Sequence, residues 1–179
     1  RGRLKRPVNA GFIWNTFTTA LDPTLPAALD YASQVIHTAT HEWGFPYLKL
    51  DFLYAGALPG HRHDPGRSRA QILRAGLEAL RQAAGEDSTL VGCGVPLGSA
   101  LGLFETLRIG PDVNGEWEPS YYGLRAPLRY ERSIPSASNA IRNILTRAPM
   151  HLRWWINDPD CMLVRPDTHL TLAEVQSLA

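Results

Sequence analysis

A chain of 179 residues is long enough for one domain, and 44% hydrophobic against 20% charged residues is the balance of an ordinary globular protein. A formal net charge of +1 supplies no basic field, which argues against nucleic acid as the main partner. No apolar run reaches the length of a membrane span, so no membrane partner is expected.

The chain opens on a basic, Pro-containing lead-in with Arg1, Arg3, Lys5 and Arg6, which reads as a solvated terminus and not as a signal peptide. Gly11-Phe12-Ile13-Trp14 is a short apolar run of the kind that makes a buried strand. Ala20-Leu21-Asp22-Pro23-Thr24 reads as a turn into a helix, with Thr24 as N-cap and Pro26 in the first turn. Leu29, Ala32, Val35, Ile36 and Ala39 recur at helical spacing, and Gly44 is a C-terminal stop.

Tyr47-Leu48-Lys49-Leu50-Asp51-Phe52 alternates as a strand does, so Lys49 and Asp51 share one face and Leu48 and Leu50 the other. Burying a Lys and an Asp is costly unless they pair or meet a polar ligand. That cost suggests a site at a strand end; the alternative is an edge strand with one solvated face. The loop from Ala55 to Arg67 is long, as functional loops after strands often are. Its His61-Arg62-His63-Asp64 invites a metal reading, but loop residues without further ligands rarely make a site, and none is assigned.

Ser68 starts a second helix with Ile72, Leu73, Leu77 and Leu80 on one face and Gly85 at its end. Gly76 on that face marks a close approach to the sheet. Thr89 to Gly94 is an apolar strand, Ala100 to Phe104 a helical turn, and Thr106-Leu107-Arg108-Ile109 a further strand running into Gly110-Pro111-Asp112. A second long loop, 113–134, holds Trp117, Tyr121 and Tyr122. Trp117 there is a candidate sugar-stacking platform. A helix from Ser136 to Arg147 should turn Ile141, Ile144 and Leu145 inward. His151 to Ile156 reads as a strand ending in Asn157-Asp158-Pro159-Asp160, with Trp154 and Trp155 on opposite faces, one of them core. Thr171-Leu172-Ala173-Glu174 is a capping box, stapled by Leu170 and Val175.

Strands alternating with helices call for a parallel sheet. About five strands are legible, whereas a closed (β/α)8 TIM barrel needs eight. The expectation is an α/β partial barrel, with residues 1–179 part of one catalytic domain whose first strands and C-terminal part lie outside the chain; a complete small open sheet is the alternative. Polar residues recur where each strand ends: Lys49 and Asp51, Cys93, Arg108 and Asp112, then Asn157, Asp158 and Asp160. In a parallel sheet such ends converge at one rim. Two carboxylates there meet the requirement for glycoside hydrolysis, one attacking and one donating a proton. Cys93 and Cys161 are too far apart for a disulfide framework or a metal spacing, and a reducing, cytoplasmic compartment is expected.

Residues 47–56 resemble the nucleophile strand of the family 36 glycoside hydrolases, the melibiase-type α-galactosidases. Ala20 to Pro26, Gly92-Cys93-Gly94-Val95-Pro96-Leu97 and Arg108-Ile109-Gly110-Pro111-Asp112-Val113 resemble further motifs of that family in order and spacing, and Asn157-Asp158-Pro159-Asp160 resembles one shared with family 27. The resemblance covers most of residues 20–165. It implies a retaining exo-α-galactosidase acting on an α-galactoside oligosaccharide, without metal or cofactor, and compatible with a homo-oligomer. Asp51 would be the nucleophile and Asp112 the acid/base. Lys49 would bind sugar hydroxyls and keep Asp51 ionised, Arg108 would bind near the 2-hydroxyl, Cys93 would sit by C4, and Asp160 would line the pocket. The family's paired aspartates for the C4 and C6 hydroxyls and its N-terminal β-sandwich have no counterpart here, so the isolated segment is expected to be inactive. Alternatives on the same site are an α-N-acetylgalactosaminidase or a raffinose-synthase-like galactosyl transferase, and in a different class a non-catalytic carbohydrate-binding barrel.

Overall fold

The computed structural model describes residues 8–13, 16–120, 130–161, 163, 165 and 168–178; Arg1, Arg3, Lys5, Arg6, Trp14, Tyr121 and Tyr122 lie outside them. The chain divides into two compact units, Arg1–Glu105 and Thr106–Ala179. Each is α/β and built on a parallel strand pair.

In the first unit, β1 (Val8–Ile13) and β2 (Thr16–Ala20) pair antiparallel, Val8 opposite Ala20 and Ile13 opposite Thr16. The strand expected near Gly11 is therefore one arm of a hairpin. Its partner is the run Thr16-Phe17-Thr18-Thr19, whose β-branched threonines and aromatic Phe17 have the propensity of a strand. Helix α1 (Pro26–His37) has Pro26 in its first turn as expected, but its N-cap is Leu25. Thr24 lies one residue earlier, and its Oγ1, the acceptor a cap would need, accepts from Asp64 N (3.1 Å) while its hydroxyl and amide donate to Asp22 Oδ1 (2.8 and 3.0 Å). Ile36 is buried while Val35 is 50% exposed, so the inward face is narrower than the spacing suggested. The helix continues as a π-helical segment, Thr38–Glu42, and ends at Gly44, whose φ of +72° suits glycine.

β3 (Tyr47–Leu50) runs parallel to β4 (Thr89–Gly92), Tyr47 opposite Thr89 and Leu50 opposite Gly92. Between them lies α2 (Arg69–Ala84), started by a capping box in which Ser68 Oγ accepts from Gln71 N and Gln71 Oε1 accepts from Ser68 N. Ile72, Leu73, Gly76 and Leu77 form its buried face. A Cβ on Gly76 would lie 3.2 Å from Pro23 Cβ, so the close approach is to the Asp22-Pro23 turn and not to the sheet. The short helix α3 is Leu97–Ala100, earlier than expected. Pro96 sets its entry, and Leu101 already has an extended ψ of 122°.

In the second unit, β5 (Thr106–Arg108) runs parallel to β6 (Ile156–Asp158), which places Arg108 opposite Asp158. Of the strand expected over His151–Ile156, only Ile156 lies in β6, which runs on through Asn157 and Asp158. Leu152 has φ +59° and its amide donates to Trp155 O (2.8 Å), so residues 151–155 turn tightly before β6 begins. Trp155 is the core tryptophan at 6% exposure and Trp154 the outer one. Helix α4 (Ala137–Arg147) is capped by Ser136 and buries Ala137, Asn139 and Ala140. Leu145 is exposed, contrary to the spacing, and the inward face instead holds Asn139, which donates to Glu131 O and Ile134 O. Such a buried amide is tolerated only with its bonds made. The Thr171–Glu174 capping box starts α5 (Leu172–Leu178).

Candidate active site

In the first unit β3 keeps the expected alternation: Tyr47 and Lys49 are exposed, Leu48 and Leu50 half-buried, and Asp51 is exposed just beyond the strand. Lys49 and Asp51 thus face solvent, so the cost of burying them does not arise within this unit. The backbone turns sharply after Asp51. Phe52 is left-handed (φ 54°, ψ 29°), and its amide donates to Asp51 Oδ1 at 2.7 Å. A bulky residue in that region is an uncommon, costly conformation of the sort concentrated at functional sites.

What holds that turn is the neighbouring strand end. Cys93 N donates to Leu50 O (2.8 Å), Leu53 N to Cys93 O (3.3 Å) and Tyr54 N to Gly94 O (2.7 Å). Gly94 has φ +58°, a left-handed conformation that favours glycine, so this second strand end also carries its glycine for a backbone reason. Cys93 itself is buried. Asp51 is therefore an accessible carboxylate on a backbone laced on both sides.

The chain then forms a short 3-10 helix, Leu53–Ala57. The loop beyond it is not loose. Arg62, 7% exposed, pairs with Asp22 Oδ1 at 3.3 Å and donates to Gly56 O (3.0 Å) and Leu58 O (2.5 Å). Asp22 Oδ2 accepts from His63 N at 2.7 Å. Burial alone would raise the Asp22 pKa. The bonds from His63, Thr24 and Arg62 outweigh it and hold the carboxyl below its ordinary value. Sequence reasoning assigned Asp22 no part; the Asp-Pro-Thr pattern, whose side chain turns back on the backbone, was the available signal.

The second unit gathers four residues of the expected set. Arg108 is buried, and its guanidinium holds three carboxylates: Nη1 to Asp112 Oδ1 (2.9 Å), Nε to Asp158 Oδ2 (3.0 Å) and Nη2 to Asp160 Oδ1 (3.0 Å). The planar fork of arginine suits such multiple docking where a lysine would not. Asp158 and Asp160 side chains are 23% and 16% exposed, whereas Asp112 is 72% exposed. The carboxylates also brace one another's backbone. Asp160 Oδ2 accepts from Val113 N (2.9 Å), and Asp158 Oδ1 accepts from Asp160 N (2.9 Å). These bonds support the left-handed Asp160 (φ 79°).

Gly110 sits between β5 and Asp112, and a Cβ on it would come 3.0 Å from Asn143 Cβ of α4. Arg147 of the same helix donates to Ile109 O, and burial draws its pKa below the usual arginine value. Asn157 accepts from Trp155 Nε1 (2.9 Å) and donates to Arg147 O (2.9 Å), so it ties β6 to α4 instead of facing a ligand. Trp117 does not join Arg108. It borders an open groove along α4 with Tyr130, Ile141 and Leu145, and its carbonyl accepts from Ser138 N. Among the described residues no group of three His, Cys, Asp or Glu side chains could hold a metal ion, and no helix is long and apolar enough to cross a membrane.

No protein-family model matches the chain. Among solved structures it is similar to the α-galactosidase TtGalA from Thermus thermophilus, in complex with stachyose and, separately, with p-nitrophenyl α-D-galactopyranoside. In both cases identity is 34%, the TM-score 0.79, and 97% of this chain is covered. The chain spans 36% and 34% of those two chains, about a third of the enzyme's length. α-Galactosidase I from Mortierella vinacea, with 16% identity and a TM-score of 0.54 over 87% of this chain and 38% of that one, shares the fold. The strand ends that carry Asp51 and Asp112 thus lie in a chain that belongs, with the Thermus enzyme, to glycoside hydrolase family 36.

Proposed function

We propose that this chain is the catalytic part of a retaining exo-α-galactosidase, folded within a (β/α)8 barrel and acting on terminal α-galactosides of oligosaccharides. The observation that carries the reading is 34% identity, over nearly the whole chain, to an enzyme crystallised with stachyose and an aryl α-galactoside. The two exposed carboxylates at strand ends, Asp51 and Asp112, support it.

In this reading an oxygen of Asp51 attacks the anomeric carbon as the glycosidic bond breaks. Asp112 gives its proton to the departing oxygen. A galactosyl ester of Asp51 results. Asp112, now a carboxylate, takes a proton from water, and the water's oxygen displaces Asp51 and restores the α-configuration. Lys49, on the same face of the chain as Asp51, would bind sugar hydroxyls. Arg108 and Asp160 would shape the wall around Asp112, Cys93 would lie beside the ring, and Trp117 would stack on sugar further out.

The test is hydrolysis of p-nitrophenyl α-D-galactopyranoside by the protein that carries this chain, wild type beside Asp51→Asn, each with and without azide. Loss of activity in the variant, and its rescue by azide to give β-galactosyl azide, is the expected result. A wild type that turns over no α-galactoside overturns the reading, and α-N-acetylgalactosaminides are then the substrates to try.

A further inference from the structure

The motif around Asp22 has no part in the chemistry above, yet it is tied to the segment that follows Asp51. Asp22 is 14% exposed and accepts four hydrogen bonds within its own unit: from Thr24 N and Oγ1, Arg62 Nη1 and His63 N. Thr24 Oγ1 in turn accepts from Asp64 N at 3.1 Å. A carboxylate so loaded is a fixed point and not a ligand site, because its lone pairs are engaged.

Arg62 transmits that fixed point. Besides Asp22 it holds the carbonyls of Gly56 and Leu58, which belong to the C-terminal end of the 3-10 helix Leu53–Ala57 and its cap. The other end of this five-residue element is capped by Phe52, directly after Asp51. Gly76 allows the closest approach of α2 to Pro23, so the Asp22 turn is itself seated on that helix. The path from α2 therefore runs through Pro23, Asp22 and Arg62 to the carbonyl of Gly56, and from there along the 3-10 helix, whose Ala55 N donates to the O of its N-cap Phe52 (3.0 Å), next to the nucleophile position.

We infer that Asp22 and Arg62 are positioning residues for Asp51, a buried clamp that holds the segment after the nucleophile strand at the height the attack requires. This rests on the α-galactosidase reading for its catalytic consequence, but the clamp itself does not. Misplacing a reacting group by an ångström costs on the order of a hundredfold in rate. A clamp acting only through Asp51 lowers kcat and leaves KM nearly unchanged, since substrate hydroxyls are bound elsewhere.

The experiment compares Asp22→Asn, Arg62→Lys and the double variant with wild type in the complete protein. It measures kcat and KM for p-nitrophenyl α-D-galactopyranoside, the melting temperature, and amide exchange over residues 52–58. Asp22→Asn keeps the shape and removes the charge. The expected result is a kcat loss of about tenfold to a hundredfold, a KM within about twofold, faster exchange over 52–58, and a double variant no worse than the poorer single. An unchanged kcat, or unchanged exchange, overturns the inference; so does a loss confined to KM. Arg62→Lys decides the matter if Asp22→Asn does not fold. If wild type turns over no α-galactoside, the functional reading falls, and the exchange data alone judge the clamp.

Discussion

Arg108 and Asp112, four residues apart, are joined by a 2.9 Å ion pair in which the arginine side chain is 5% exposed and the aspartate 72%. The buried partner is anchored and the exposed one is presented. Asp158 and Asp160 engage Nε and Nη2 of the guanidinium, which leaves Nη1 to orient Asp112.

Arg108→Lys should therefore fail as a conservative change. An ammonium cannot meet three carboxylates arranged around a planar fork. Removing one member of a buried ion network leaves charge uncompensated, at a cost of about 3–5 kcal/mol. Arg108→Ala is expected to lose stability of that order in urea denaturation, and Arg108→Lys to lose part of it. An Arg108→Ala protein as stable as wild type would show that the three carboxylates do not depend on the guanidinium.

In the proposed mechanism, with Asp112 as the acid, Asp112→Asn should separate substrates by leaving group. Removing a general acid lowers rate by about a hundred- to ten-thousandfold where the departing oxygen needs a proton. A p-nitrophenolate departs with little help, so its galactoside should lose far less than a galactose-containing oligosaccharide. Equal losses on both, in side-by-side kcat/KM measurements, would remove Asp112 from the acid role.

Gly110→Ala tests whether the spacing between β5 and α4 sets the Asp112 loop. The added methyl meets Asn143 Cβ at 3.0 Å, and that atom sits on helix backbone with little room to yield. Overpacking of this kind costs about 1–3 kcal/mol. The variant should melt lower and lose activity, whereas Gly98→Ala, with nothing within 4 Å, should change neither.

The Asp22 clamp has a pH signature. Its folded pKa lies below the ordinary carboxylate value, so its contribution to stability is complete above about pH 4, the unfolded value, and is lost as pH falls through the lower folded one. Asp22→Asn should remove that contribution at neutral pH. The stability difference between wild type and variant should then be constant from neutrality down to about pH 5 and shrink below about pH 4. A difference that grows on acidification would contradict the assignment.

The sequence made the helices and strands legible wherever a local rule acts. Ser68 with Gln71 and Thr171 with Glu174 are capping boxes in the structure as in the text of the chain. The alternation of residues 47–50 survives as exposed and half-buried faces. Local reading failed where a tertiary partner claimed a residue first. Thr24 Oγ1 is engaged by Asp64 N, α4 buries Asn139 on a face expected to be apolar, and the tight turn at Leu152 delays the last strand to Ile156.

By itself, then, the sequence determined the alternating strand that ends at Asp51, the helix starts, and the order of motifs that resembles glycoside hydrolase family 36. These depend on residues a few positions apart, whose geometry the backbone fixes. Only the tertiary structure decided which charges meet. Arg108 reaches Asp158 across 50 residues because β5 and β6 pair in register, and Arg62 reaches Asp22 across 40 because the loop folds back on the turn before α1. Register and loop closure are properties of the packed chain, and no spacing along the sequence carries them.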